Sequence, residues 1–187
     1  MPIAKAIFRT NRIEIHGDSI IHFGNTTVVE RGFKNPKIYN LINKPLPHFV
    51  IEKYKGGNLT DEDLKGKPTI LNLWFTSCSP CINEMADLND IKEKYGDKFN
   101  YIGMTFDDRP AVYDLFKRRI FKFDVLINAQ KYIDKLDIEG YPELILIDKN
   151  NIVRYVDFGI MQAIDDTHKQ QTLEELYKII DKLSSDF

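Results

Sequence analysis

Residues 69–85, TILNLWFTSCSPCINEM, hold both cysteines of the chain between an apolar run and a helical pattern. The run ILNLWF is nearly continuous in apolar residues, as is typical of a central strand covered on both faces. From Pro80 onward apolar residues recur at helical spacing, and Gly96 marks a stop. The sequence therefore predicts a strand, a junction that carries Cys78 and Cys81, and a helix.

A cysteine at the start of a helix is well placed to react near neutral pH. Only the thiolate attacks a disulfide, and a free thiol has a pKa near ~8.5. The unsatisfied N–H groups and the dipole at a helix N-terminus stabilise that anion. The spacing of three places Cys81 one turn further along, within disulfide reach of Cys78, and Pro80 suits a first helical turn. We expect Cys78 to be an exposed nucleophile and Cys81 a buried resolving thiol in thiol–disulfide exchange.

Three other interpretations of the cysteine pair compete with this one. Zinc would need a second ligand pair, but the chain has no further cysteine, and its histidines show no ligand spacing: His16, His22, His48 and His168. A purely structural disulfide would close a loop too short to remove much chain entropy. Two reduced core cysteines without chemistry are the third alternative.

The composition describes an ordinary globular protein with a mixed surface. Hydrophobic residues make up 43% and charged residues 29% of the 187 residues, and the net charge of -2 argues against a nucleic acid partner. No apolar run approaches the ~20 residues that span a bilayer, and the N-terminus lacks the apolar core of a signal peptide. Either the protein is cytoplasmic or a targeting segment has been removed. A membrane tether would require a segment absent from this chain.

The chain divides near residue 40. Residues 1–36 alternate short apolar and polar runs between glycines, which predicts two to four short strands. A proline-rich connector follows, so we predict a β-rich extension over residues 1–40 and a second domain over residues 41–187. In that domain strands alternate with helices and the last two strands form a hairpin. This pattern predicts an α/β fold with a mixed central sheet flanked by helices.

Over residues 44–159 the chain resembles the thioredoxin-like thiol–disulfide oxidoreductases of the TlpA/ResA type. The matching segments occur in order: KPLPHF, LTDEDLKGKPTILNLWFTSCSPC, MTFDD and IEGYPELILIDKNNIVRYVDFG. The resemblance implies a thioredoxin-like fold in which Cys78 and Cys81 are the redox pair, with no metal or organic cofactor. It also implies protein thiols and disulfides as partners, an unidentified redox partner protein, and a location in the periplasm or cell envelope. Reduction is modestly favoured over oxidation as the direction.

The same resemblance assigns a role to Tyr141 and Pro142. From the residues alone, Gly140, Tyr141 and Pro142 indicate a turn. The resemblance implies instead that the Tyr141–Pro142 bond is cis, that Pro142 packs beside the sulfurs, and that Tyr141 hydrogen-bonds an extended substrate peptide. Asn72 falls where thioredoxin itself carries a buried acid.

Two glutamates and a serine near the motif have open roles. Glu84 matches a position where some family members place a buried carboxylate that would exchange a proton with Cys81, but a solvated glutamate in the first helical turn is equally consistent. Ser77 stands where the family usually has Trp, which changes the rim that partners would meet. Glu143 replaces the usual Thr or Ser after the proline. It would either disfavour a thiolate or lie exposed at the start of a strand.

Two other functions fit the same fold. A peroxiredoxin-like peroxidase would need a proline and a Thr or Ser at set positions before a single peroxidatic cysteine, and Thr76 is wrongly spaced. A non-catalytic binding module would leave the cysteines vestigial. The intact Cys78, Pro80, Cys81 and Pro142 argue against that alternative.

Overall fold

The computed structural model describes residues 10–16, 19–25, 37–138, 140–157 and 166–185. Strands in these residues are β1 Thr10–His16, β2 Ser19–Asn25, β3 Val50–Glu52, β4 Asn58–Thr60, β5 Thr69–Leu73, β6 Asn100–Met104, β7 Asp124–Leu126, β8 Glu143–Ile147 and β9 Val153–Asp157. The α-helices are α1 Ser79–Tyr95, α2 Arg109–Phe116, α3 Gln130–Leu136 and α4 Asp166–Ser185. Short 3-10 turns cover Lys37–Leu41, Glu62–Leu64 and Gly96–Lys98.

The central sheet has five strands in the order β7-β6-β5-β8-β9. Strand β5 runs parallel to β6 and antiparallel to β8, so the predicted mixed sheet is confirmed. Every residue of β5 is buried. This central position explains why the sequence of the strand is almost continuously apolar, because both of its faces are covered.

The two faces of the sheet are covered by different helices. Leu71 and Leu73 of β5 belong to a core that includes the buried side of α3, whereas Ile70 belongs to a core shared with α1 and α4. Successive strand residues point to opposite faces. Asn72 therefore points to the face of α1 and α4, and we call the two surfaces the α3 face and the α1/α4 face.

Helix α1 follows β5 after a short junction, as the sequence predicts. It begins one residue after Cys78, with proline in its first turn, and ends at Gly96, which has a φ of +55° and donates its N–H to the carbonyl of Lys92. The predicted apolar stripe is buried along the helix: Cys81, Met85, Leu88, Ile91 and Tyr95. Burial of this stripe against the sheet holds the start of the helix, and with it the cysteine pair, at one end of β5.

The described part of the N-terminal region is an antiparallel hairpin of β1 and β2. Cα atoms of β2 come within 8 Å of those of β9, the edge strand of the sheet. The remaining predicted strands of residues 1–36 lie outside the described residues. Across the predicted boundary, Ile38 is completely buried in the domain core. No helix in the described residues is long and apolar enough to cross a membrane.

Candidate functional site

Cys78 and Cys81 form a disulfide at the N-terminus of α1, with Cα atoms 5.3 Å apart. The backbone of Cys78 is extended while the helix begins at the next residue, so Cys78 is the N-cap. Its Sγ accepts a hydrogen bond from the backbone N–H of Cys81 at 3.2 Å. In the reduced protein the same N–H would stabilise a Cys78 thiolate, together with the positive end of the 17-residue helix.

The two sulfurs differ in accessibility, but less than the sequence suggests. Cys78 is 5% exposed and Cys81 is fully buried. The description of Cys78 as exposed is therefore wrong for the oxidised pair, because apolar residues pack around both cysteines: Trp74, Met85, Val112, Leu115, Val125 and Ile127. An attacking partner would reach Cys78 first, since Cys81 presents no surface at all.

The loop before Cys78 is held by Asp107, which sequence reasoning did not single out. The Oδ2 atom of Asp107 accepts hydrogen bonds from the backbone N–H of Thr76 at 2.6 Å and from Oγ1 of Thr105 at 3.0 Å. The carboxyl ends of the parallel strands β5 and β6 adjoin at Leu73 and Met104, so the residues that follow them meet. The role of Asp107 therefore depends on the pairing of the two strands, which the sequence alone does not show.

Three half-buried aromatic rings, which we call the aromatic group, flank the cysteines: Phe75, Phe106 and Tyr141. Phe75 stacks on Phe106 with centroids 5.3 Å apart, and Tyr141 meets Phe75 edge-on at 5.1 Å. Phe75 and Tyr141 also pack against the cluster that contains both sulfurs. Of these rings the sequence indicated only Tyr141. The other two come from loops after β5 and β6, whose proximity depends on the strand pairing.

The Tyr141–Pro142 peptide bond is cis, and Pro142 is buried. Burial, followed by the nearby charges of Asp134 and Asp107, raises the pKa of the Tyr141 hydroxyl to about 12. The phenol therefore stays protonated at neutral pH. Its ring packs against the buried cluster that contains both sulfurs.

Glu84 is completely buried, which excludes the interpretation as a solvated surface glutamate. It lies three residues after Cys81 on α1, on the same side of the helix. The Nδ2 group of Asn72 in β5 donates a hydrogen bond to its Oε1 at 2.7 Å. The structure thus brings together the two polar side chains that the sequence associated with the site.

Glu143 is also completely buried, so its interpretation as an exposed strand-start residue is wrong. It pairs with Leu73 in the β5–β8 register and therefore points to the α3 face, opposite to Asn72. Ser77 is exposed in the loop before Cys78. Among the described residues, no group of three or more His, Cys, Asp or Glu side chains could hold a metal ion.

A family model described as the AhpC/TSA family matches residues 42–156. The thiol-disulfide oxidoreductase ResA of Bacillus thuringiensis is 34% identical over 152 residues, which are 80% of this chain and 84% of that protein. The thiol:disulfide interchange protein DsbE of Vibrio cholerae is 33% identical over 146 residues, 74% of each chain. Both proteins are named for thiol–disulfide exchange, which is the reaction that the Cys78–Cys81 pair indicates.

The fold has a counterpart among solved structures. The crystal structure of a candidate DsbE thiol:disulfide interchange protein from Chlorobium tepidum superposes with a TM-score of 0.66. It covers 76% of this chain and 97% of its own, at 20% sequence identity. At that identity the similarity establishes the thioredoxin-like fold.

Proposed function

Because this chain belongs to the AhpC/TSA family and is a thioredoxin-like thiol–disulfide oxidoreductase, we propose that it reduces disulfide bonds of partner proteins through Cys78 and Cys81. The main support for this proposal is the position of Cys78 at the N-terminus of α1. Its Sγ sits at the N-terminus of α1 and accepts the N–H of Cys81, while Cys81 lies deeper in the helix. Cys78 is thus placed to attack the partner disulfide, and Cys81 is placed to release the reduced partner.

The reaction takes two exchanges. The Cys78 thiolate attacks one sulfur of the partner disulfide, forms a mixed disulfide and expels the other partner sulfur as a thiolate, which takes a proton from water. Cys81, deprotonated, then attacks Sγ of Cys78 and breaks the mixed disulfide. The second partner sulfur leaves as a thiolate, and the Cys78–Cys81 disulfide is formed. Two electrons have passed to the partner, and a redox partner protein must return them for the next cycle.

Glu84 is our candidate for the group that accepts the Cys81 proton. Cys81 is completely buried in the disulfide, so we expect an internal base to take the proton of its thiol. Burial disfavours the charged form of a carboxyl group, which favours proton uptake by a carboxylate in this position. Glu84 lies one turn from Cys81 and is buried with it.

Replacing Glu84 with glutamine separates two effects of the carboxylate. Loss of its charge is expected to lower the pKa of Cys81, because a nearby negative charge disfavours a thiolate. Loss of the proton acceptor is expected to slow release of the partner by about 10²-fold despite that lower pKa. Thiol absorbance against pH and stopped-flow decay of a preformed mixed disulfide measure the two quantities. Unchanged titration and release would remove Glu84 from the mechanism.

Partner recognition is proposed to use the backbone of Tyr141 and the aromatic group. An extended peptide can add its backbone hydrogen bonds to an exposed edge, and residue 141, which precedes the cis proline, has its ring packed against the sulfur cluster. The rings of Phe75, Phe106 and Tyr141 would contact the side chains that flank the partner's cysteine. Ser77 leaves the rim open on the side where the family usually has Trp.

We further propose that the protein works in the periplasm or cell envelope, because a reductase of protein disulfides has its substrates where disulfides persist. Cell fractionation of the source organism with an antibody to the protein measures this directly. Recovery in the cytoplasmic fraction would contradict the location without affecting the chemistry.

Turnover of two substrates tests the function. The protein, kept reduced by dithiothreitol, is expected to speed the reduction of insulin disulfides well above the rate with dithiothreitol alone. Hydrogen peroxide with the same donor is expected to be consumed at the background rate. Fast peroxide consumption with no insulin reduction would replace the proposed function by the peroxidase alternative.

A further inference from the structure

Asn72 is a polar residue in an otherwise apolar strand. It lies in β5, is completely buried, and is surrounded in sequence by the apolar residues of the run ILNLWF. Burial of an amide costs free energy unless its hydrogen-bonding groups are used. Its Nδ2 group donates to Oε1 of Glu84, but its Oδ1 atom has no hydrogen-bond partner among the described residues. A leucine would pack here without that cost, so the amide calls for an explanation other than stability.

We propose that Asn72 is a positioning residue that holds the Glu84 carboxyl group both with and without its proton. With Glu84 ionised, the amide donates through Nδ2, as the structure shows. With Glu84 protonated, a half-turn of the amide brings Oδ1 to the same point, where it accepts from the carboxylic acid. One polar atom of the amide is left without a partner in either orientation. This inference rests on the proposed proton transfer from Cys81.

Asparagine suits this task better than the residues that resemble it. An aspartate at position 72 could not donate to an ionised Glu84 and would add a second negative charge to a buried site. A leucine could neither donate nor accept, so the ionised carboxylate would lose the hydrogen bond from Nδ2 of Asn72. Of these three side chains, only the amide can hydrogen-bond to the carboxyl group in both states, which keeps that group in place while the proton moves.

Other ionisable groups lie on the elements that carry the pair or pack against it. Cys78 caps α1, and the helix itself carries Cys81 and Asp87, which forms a 2.8 Å ion pair with Lys169 of α4. On β8, Glu143 points to the opposite face of the sheet. A substitution at Asn72 leaves these groups in place, so their effect on the titration of Glu84 is the same in the wild-type protein and in the variant.

The ionisation of Glu84 itself provides the test. Infrared spectra of the reduced protein across pH identify the Glu84 carboxyl band as the one missing from Glu84→Gln. Asn72→Leu is expected to move the pH midpoint of that band to higher pH, because the ionised form loses a charge-assisted hydrogen bond, which is stronger than the neutral one lost by the protonated form. The pH profile of partner release should move in the same direction. Ile70→Val, on the same face of β5, is the matched control and should weaken folding without moving the midpoint.

A second measurement needs no change in the core. In the wild-type protein, the NMR signals of the Asn72 side-chain amide should titrate with the midpoint of Glu84 and lose that titration in Glu84→Gln. An Asn72 amide that does not titrate, or a Glu84 midpoint unchanged in a folded Asn72→Leu, would overturn the inference. Neither readout depends on turnover. Absence of insulin reduction with a normal Asn72 response would therefore count against the proposed function alone.

Discussion

Cys81→Ser is expected to turn the protein into a trap for its partner. Cys78 would still attack a disulfide, but the mixed disulfide could not be resolved, because serine does not displace sulfur at neutral pH. Insulin turnover should fall by more than about 10³-fold, as when one member of a cooperating catalytic set is removed. At the same time, a covalent adduct should appear on a non-reducing gel and disappear with dithiothreitol.

Cys78→Ser is the matched control, since it removes the other sulfur from the same turn of α1. It should lose turnover equally and form little adduct, because Cys81 is completely buried and presents no surface to a partner. The contrast between the two variants assigns the roles of attacking and resolving thiol. Equal trapping by both, or stronger trapping by Cys78→Ser, would reverse the assignment.

The sequence predicted the parts of the molecule that depend on local pattern. An apolar run with two covered faces became β5, and an apolar stripe that ends at Gly96 became α1. The position of Cys78 and Cys81 at their junction follows from those two elements. Backbone hydrogen bonding and burial periodicity act over a few residues, so they can be recognised in a single sequence.

The parts it could not predict depend on contacts between distant segments. The sequence left Glu84 either buried near the sulfurs or solvated at the helix start, and Glu143 either near the sulfurs or exposed at a strand start, yet both are completely buried. Their burial follows from the register of β5 against β8 and from the packing of α1 on the sheet. Asp107 likewise acquires its role only because β5 and β6 pair in parallel. The charge and polarity of a single residue do not show which distant residues will contact it in the fold.

Gly103→Ala is expected to cost about 1–3 kcal/mol of unfolding free energy, because the added methyl overpacks the core. Gly103 lies in β6 beside Asn72, and a Cβ there would come within 2.5 Å of Cε1 of Phe121 and 3.0 Å of Nε1 of Trp74. Phe121 cannot move freely, since it stacks on Phe123 at 4.8 Å and meets Trp74 edge-on at 5.8 Å. Urea unfolding followed by the fluorescence of Trp74, the only tryptophan, measures the loss.

Phe121→Ala in combination with Gly103→Ala tests the cause of that loss. Removal of the ring takes away the atom that the new methyl would meet, so the double variant should be more stable than the sum of the single losses by roughly 0.5–3 kcal/mol. Gly103→Ala with Leu183→Ala, which lies on α4, should instead show additive losses. Strict additivity with Phe121→Ala would mean that the ring is not the obstacle.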